Sequence, residues 1–259
     1  DAFGANPRYV MLEIVREYGR ELLDAHGELR HAGDAHAAFY LGLDDWLDPN
    51  FTSVGVSIDD RLRQIEPEHD NLEAALSHLA ATGDLQGMLH LAGRSAVFWH
   101  HRGYLLEGQR WLEFALEHTA TGMTADRGMA LAGLSLIHWT RVDAEAGIAP
   151  AEKALAIGRA IDHPRITALA LHMLGLIDSV SGRWESARTQ MEEARELWER
   201  VGERSSVAMA LMVLSGVELG SGDVATARKR AEAALEIFQQ LGHDSGAAFA
   251  LVRVGRVAH

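Results

Sequence analysis

The stretch "SGRWESARTQMEEARELWERVG" at Ser181–Gly202 is echoed by "SGDVATARKRAEAALEIFQQLG" at Ser221–Gly242, and the echo decides the fold. Laying Leu171–Ala210 over Leu211–Ala250 without a gap gives 13 identities in 40 positions, against roughly three or four expected by chance. Leu171/Leu211, Leu174/Leu214, Gly182/Gly222, Ala187/Ala227, Arg188/Arg228, Ala194/Ala234 and Gly202/Gly242 are among them. The frame extends upstream through Leu131 and Leu134, and "LAGRSAVFW" at Leu91–Trp99 matches "LAGLSLIHW" at Leu131–Trp139. Downstream, Leu251, Val254 and Gly255 begin a further unit.

Each unit reads as two helices: a first with apolar residues at i, i+3 and i+7, a glycine turn, and a second such as Trp184–Val201. Small residues stand where helices must approach closely. Ser135, Gly175, Ser215 and Gly255 let the first helix lie against the second, and Ala187 with Ala194 do so from the other side. Neither helix can bury its apolar stripe alone, so neighbours must stack. The pattern predicts an all-α, right-handed superhelix of antiparallel helix pairs.

The unit at Arg141–Ile157 is irregular, with Val142 where Gly182 and Gly222 stand and Pro150 within the expected second helix. A later helix start with Pro150 in its first turn reconciles the two. Helical periodicity also runs from Met11 to Leu23, ending at Gly27, and a second helix is expected over Ala35–Leu47. Ser57 with Asp60 resembles a capping box for a third, which Pro67 interrupts before Leu72–Leu79. With Asp48–Ser57 as a loop, the chain divides into a helical junction segment over 1–56 and a repeat domain over 57–259. The expectation is that the native polypeptide continues past His259, because Leu251–His259 is a first helix without its second.

The formal net charge of -13 opposes direct binding to a phosphate backbone, which draws affinity from cations. Hydrophobic residues make up 47% of the chain, there is no cysteine, and no apolar run is long enough to span a membrane. A reducing cytoplasm is the expected setting.

The helix pair with glycine at its turn, Ala-Arg just after it and a later alanine resembles tetratricopeptide repeats, lengthened from the usual period. Four phrases, "RYVMLEIVREYGRELL" (Arg8–Leu23), "HAAFYLGL" (His36–Leu43), "EHDNLEAAL" (Glu68–Leu76) and "RGYLLEGQRWLEFAL" (Arg102–Leu116), resemble a more particular family. They are similar, in the same order, to the region after the nucleotide-binding module of bacterial STAND-type signal-transduction ATPases, including large LuxR-type transcriptional regulators. The resemblance implies that the first phrase closes a winged-helix segment and that the repeats form a sensor or scaffold arm. It further implies an upstream ATPase domain in the native chain, because no G-x-x-x-x-G-K-[ST] is present.

Candidate chemistry is sparse. His26, His31 and His36 are five residues apart, each turned roughly 140° from the last on a helix, and do not converge as metal ligands must. "EPEHDN" at Glu66–Asn71 reads as a helix start with solvated acids and a packed Asn71. Ser95 and Ser135 fall inside helices, not on a nucleophile turn. Glu192 and Glu196 repel at i, i+4, while Arg102 and Arg110 are expected to pair with Glu107 or Glu113. Trp111, Trp184 and Trp198 fall at core spacing. No catalytic, cofactor-binding or metal-binding residue is assigned, and an enzyme is not expected.

The surface of interest is the concave wall, lined in tetratricopeptide-like folds by first helices. The resemblance, carried through the 40-residue frame, selects Met129, Leu169 and Met209; His172 and Met212; Leu136 and Leu176; Trp139 and Leu219. This apolar set suits a protein, a peptide or a small-molecule effector laid in the groove. The expected function is a non-catalytic arm of a multidomain ATPase or transcriptional regulator; the alternative is a freestanding scaffold without a nucleotide switch.

Overall fold

A computed structural model of the chain describes residues 11–43 and 58–257, which are helical throughout apart from turns. The elements are α1 (Glu13–Ala25), α2 (Leu29–Leu41), α3 (Ile58–Ile65), a 3-10 turn at Glu66–Glu68, α4 (His69–Thr82), α5 (Leu85–Arg102) and α6 (Leu105–His118). They continue with α7 (Ala125–Thr140), α8 (Ala144–Ala160), α9 (Pro164–Val180), α10 (Trp184–Val201), α11 (Arg204–Ser221), α12 (Val224–Gln240) and α13 (Asp244–Val257). Helices α5, α7, α9, α11 and α13 are the first helices of the 40-residue frame, and α6, α8, α10 and α12 are the second.

The turns repeat because the same hydrogen bonds close them. After α9 the Arg183 N–H reaches the Asp178 carbonyl at 3.0 Å, and after α11 the Asp223 N–H reaches Glu218 at 2.9 Å. Such closures require a left-handed residue in the turn, which Gly182 (φ +73°) and Gly222 (φ +93°) supply without strain. The irregular unit closes identically, with the Asp143 N–H on the His138 carbonyl at 3.0 Å, but there Val142 itself takes φ 64°. The expected late helix start is therefore corrected: α8 begins at Ala144, capped by Asp143, and Pro150 lies inside it. Packing of Ala151 and Ala154, both fully buried, holds a helix that propensity alone would end.

Small residues mark the close approaches. The Ser135 hydroxyl donates to the Gly147 carbonyl and the Ser215 hydroxyl to the Ala227 carbonyl, both at 2.8 Å, joining each first helix to its second. At the equivalent Gly175 a methyl group would stand 2.5 Å from Met191 Cε. Larger side chains fill the remaining space: Trp198 packs with Ala168, Leu171, Ala194 and Val207, and Phe238 with Ala208, Met212, Ala234 and Ala250. Burying each such ring stabilises the stack by about 1.5–3 kcal/mol.

The second helix begins at Leu29, earlier than the expected Ala35, and ends at Leu41. Its Ala37 and Tyr40 share one core with Leu62, Ile65, Leu76, Phe98 and Trp99. The expected loop at 48–57 and the Ser57 cap lie outside the described residues. Pro67 does interrupt the following helix, within the 3-10 turn.

Candidate functional site

Successive first helices touch along the stack, whereas successive second helices contact chiefly first helices. The more closely spaced row is the inside of a curve, so first helices form the inner wall.

The structure distributes the expected groove residues unevenly. Met212 is 1% exposed and Met129 7%, so both are core and offer no surface. Met212 fills the seam between α11 and α13, where it meets Ala250. Leu136, Trp139 and Leu176 are half-buried around Ala151, Met173 and Leu174, and Leu169 spans two neighbouring clusters. His172 and Leu219 are also half-buried. Met209 is 37% exposed. Of the expected groove residues Met209 is thus the most open.

Electrostatics on this wall favour neutral groups. Burial pulls the His172 imidazole down to about 4, leaving it uncharged at neutral pH with both a donor and an acceptor nitrogen. His101 is exposed, yet the crowding of protein around it and the charges of His100, His243 and Arg102 also push its imidazole down. Among the described residues no group of three or more His, Asp or Glu side chains could hold a metal ion. His26 bonds instead to the Leu22 carbonyl at 2.7 Å, and His36 lies against Tyr40.

Acids that looked solvated in "EPEHDN" are engaged. Glu68, 5% exposed, accepts from the Tyr40 hydroxyl at 2.6 Å and the Asn71 amide at 2.7 Å. Glu66 accepts from the Tyr104 hydroxyl at 2.9 Å and pairs with Arg102. His69 bonds Glu107 at 2.8 Å and stacks on Tyr104. The segment is a clasp joining α2, α4, α5 and α6, which explains its density of polar groups without invoking chemistry. Arg102 and Arg110 accordingly pair with Glu66 and Glu73, not with the expected partners.

A second polar cluster went unrecognised in the sequence. Asp178 and Glu218 are frame equivalents, both buried near the ends of first helices. Asp178 accepts from Arg183 at 2.8 Å and from the Ser186 hydroxyl at 2.5 Å. Glu218 takes Arg188 at 2.8 Å and Arg230 at 3.2 Å, and Arg230 reaches Glu192 at 2.6 Å. Burial opposes charge on Glu192, but Arg195 and Arg230 outweigh it and hold its carboxyl below the usual range. The expected repulsion with Glu196 is thereby bypassed. A signal was present, since the 40-residue frame aligns two acids in otherwise apolar helices.

The outer wall carries shallow clefts between second helices. One of about 390 Å³ is lined by Leu155, Arg159, Glu185, Thr189 and Glu193, with Arg159 and Glu193 paired at 2.9 Å across it. Its own side chains already satisfy its charges. The inner wall remains the better candidate for a partner.

Comparison with known proteins bears on this arrangement. Residues 166–240 match the tetratricopeptide repeat family model. The chain is 30% identical over 202 residues to "Putative HTH-type transcriptional regulator Mb0914c" of Mycobacterium bovis, covering 73% of this chain and 22% of that protein. The same values hold for "Putative HTH-type transcriptional regulator Rv0890c" of Mycobacterium tuberculosis. The chain therefore spans about a fifth of the length of these relatives. Among solved structures, BtubC from P. vanneervenii superposes with a TM-score of 0.52 at 13% identity, covering 82% of this chain and 91% of that one. The TPR-like repeats of a Podosopora anserina "putative kinesin light chain" give 0.50 at 15% identity, covering 67% and 85%. No described helix is long and apolar enough to cross a membrane. Sequence match and superposition agree with the helix-by-helix description: the fold is that of stacked tetratricopeptide-type repeats.

Proposed function

We propose that this chain is the non-catalytic arm of a cytoplasmic transcriptional regulator, binding a protein or peptide segment along its inner wall. What supports the binding role is the row of touching first helices, on which Leu169, His172 and Leu176 are half-buried and Met209 is 37% exposed. Apolar edges that adapt to a partner suit an extended or helical segment. Similarity to an HTH-type regulator over 22% of its length supports placement within a longer polypeptide. In that polypeptide an ATPase module and a DNA-binding module would perform the work this segment lacks. Occupancy would act by favouring one arrangement of arm and ATPase over another, which requires different affinities for the two.

Two measurements test the proposal. Random dodecapeptides displayed on phage are selected on the purified chain, and hydrogen exchange maps the bound peptide. Protection on the inner faces of α9 and α11 is expected; protection confined to the outer wall, or no selected binder, refutes the binding role. Sequencing the gene to either side tests the regulator role. An upstream G-x-x-x-x-G-K-[ST] is expected, and stop codons bounding the segment would leave a freestanding scaffold in its place.

A further inference from the structure

One second helix presents a different outer face from its successors. Gly108, Leu112 and Ala115 are the buried residues of α6, and Gly147, Ala151 and Ala154 of α8 and Ala187, Met191 and Ala194 of α10 hold the same places. In that register Leu106 stands where α8 and α10 carry Glu145 and Glu185, and Phe114 where they carry Lys153 and Glu193. Leu106 is 72% and Phe114 37% exposed. Both lie within the stack, because α6 packs on α5 before it and on α7 after it.

With Gln109, Arg110, Glu113, Glu117 and Arg141 these two residues line a cleft of about 410 Å³. Leu106, Arg110, Glu113, Phe114 and Glu117 fall at i, i+4, i+7, i+8 and i+11, one helix face. The charges of the cleft balance, two arginines against two glutamates, in a chain whose acids outnumber its bases 37 to 24. They are also weakly engaged. Arg141 bonds the neutral Gln109 amide, and Gln109 in turn donates to Glu113 at 2.7 Å. Arg110 stands 3.7 Å from Glu73 with 68% of its side chain exposed, a contact that holds it loosely. Glu117 is exposed and forms no ion pair among the described residues.

We propose that this face is the interface of a two-fold dimer: its occupant is the same face of a second copy of the chain, with the two α6 helices antiparallel. Exposed apolar side chains rimmed by charge mark a contact surface. An antiparallel pairing sets the arginine end of one cleft against the glutamate end of the other, and Phe114 of each copy is covered by its partner. Copies that each carry a net charge of -13 repel wherever acids face acids, so a charge-balanced apolar face is suited to bring them together. The dimer uses the outer row of helices and leaves the inner wall open. It goes beyond the binding role proposed above and does not depend on it.

Sedimentation equilibrium of the purified chain at increasing concentration is expected to show monomer and dimer in exchange; a monomer throughout overturns the inference. Phe114→Ala should weaken dimerisation about tenfold or more, the loss expected on truncating a central interface aromatic. Two charge variants test the pairing itself. Arg110→Glu with Arg141→Glu makes the face acidic, and Glu113→Arg with Glu117→Arg makes it basic; all four side chains are exposed, so the core is spared. Each variant alone should be monomeric, and an equimolar mixture of the two should form a heterodimer. Phe114→Ala or either charge variant dimerising as the native chain does, or the mixture remaining monomeric, overturns the interface. None of these outcomes bears on the peptide selection at the inner wall, which stands or falls separately.

Discussion

Replacing Val142 with glycine should stabilise the protein. Val142 holds φ 64° in the turn between α7 and α8, and its side chain is 92% exposed, so it strains the backbone while packing on nothing. Left-handed backbone costs an L residue about 1–2 kcal/mol, and a β-branched side chain sits toward the upper end. Glycine removes that strain but adds about 0.4–1 kcal/mol of unfolded-state entropy to be lost. The difference is a net gain of about 1 kcal/mol. The turn's hydrogen bonds, Val142 N–H to the Trp139 carbonyl and Asp143 N–H to His138, both 3.0 Å, persist unchanged. Urea unfolding followed by circular dichroism should show a higher midpoint at constant slope. Val142→Ala is the control, because alanine loses the same negligible packing yet remains strained at positive φ. Equal stability of the glycine variant and the native chain, or equal gains from alanine and glycine, would refute the argument from backbone strain.

Two further outcomes are expected. Gly158→Ala places a methyl 2.7 Å from the Thr167 nitrogen and 3.1 Å from its Cα; backbone cannot step aside, so overpacking outweighs the helix-propensity gain and thermal unfolding should reveal a loss of about 1–2 kcal/mol. His172 should make stability fall with acidification. Burial lowers its folded value from 6.5 to about 4, so between those pH values the unfolded chain binds a proton that the folded one refuses. His172→Gln should lose about 2 kcal/mol less than the native chain between pH 7.5 and pH 5 in denaturant titrations, and equal losses would remove His172 from the account.

The stack was legible in the sequence because its constraints are local and repeated. A glycine in a left-handed turn, or a serine under a neighbouring helix, recurs at the same place in each unit, so two copies reveal it. The wall was only partly legible. Met129 and Met212 hold positions in the frame that face inward by analogy, but burial at a seam depends on the neighbouring helix, which no single repeat specifies. The early start of α2 was missed because no side chain caps its first turn. Pro150 misled for a related reason: local propensity places it at a helix start, whereas the fully buried Ala151 and Ala154 that follow it keep it inside α8.

The alternation along the first helices bears on how such an array can be recombined. Ser135 and Ser215 lie in units whose second helices carry Ala151 and Ala231, while Gly175 lies in the unit carrying Met191. Volume removed from one helix is restored by the other, as the 2.5 Å approach of Met191 to a methyl at Gly175 demonstrates. A first helix therefore cannot be exchanged independently of its second. Grafting α11 in place of α9 would drive a serine into Met191, and the reciprocal graft would leave a void above Ala231. The heritable module is the matched pair, and exchange between units separated by two periods, such as α7–α8 with α11–α12, preserves the fit.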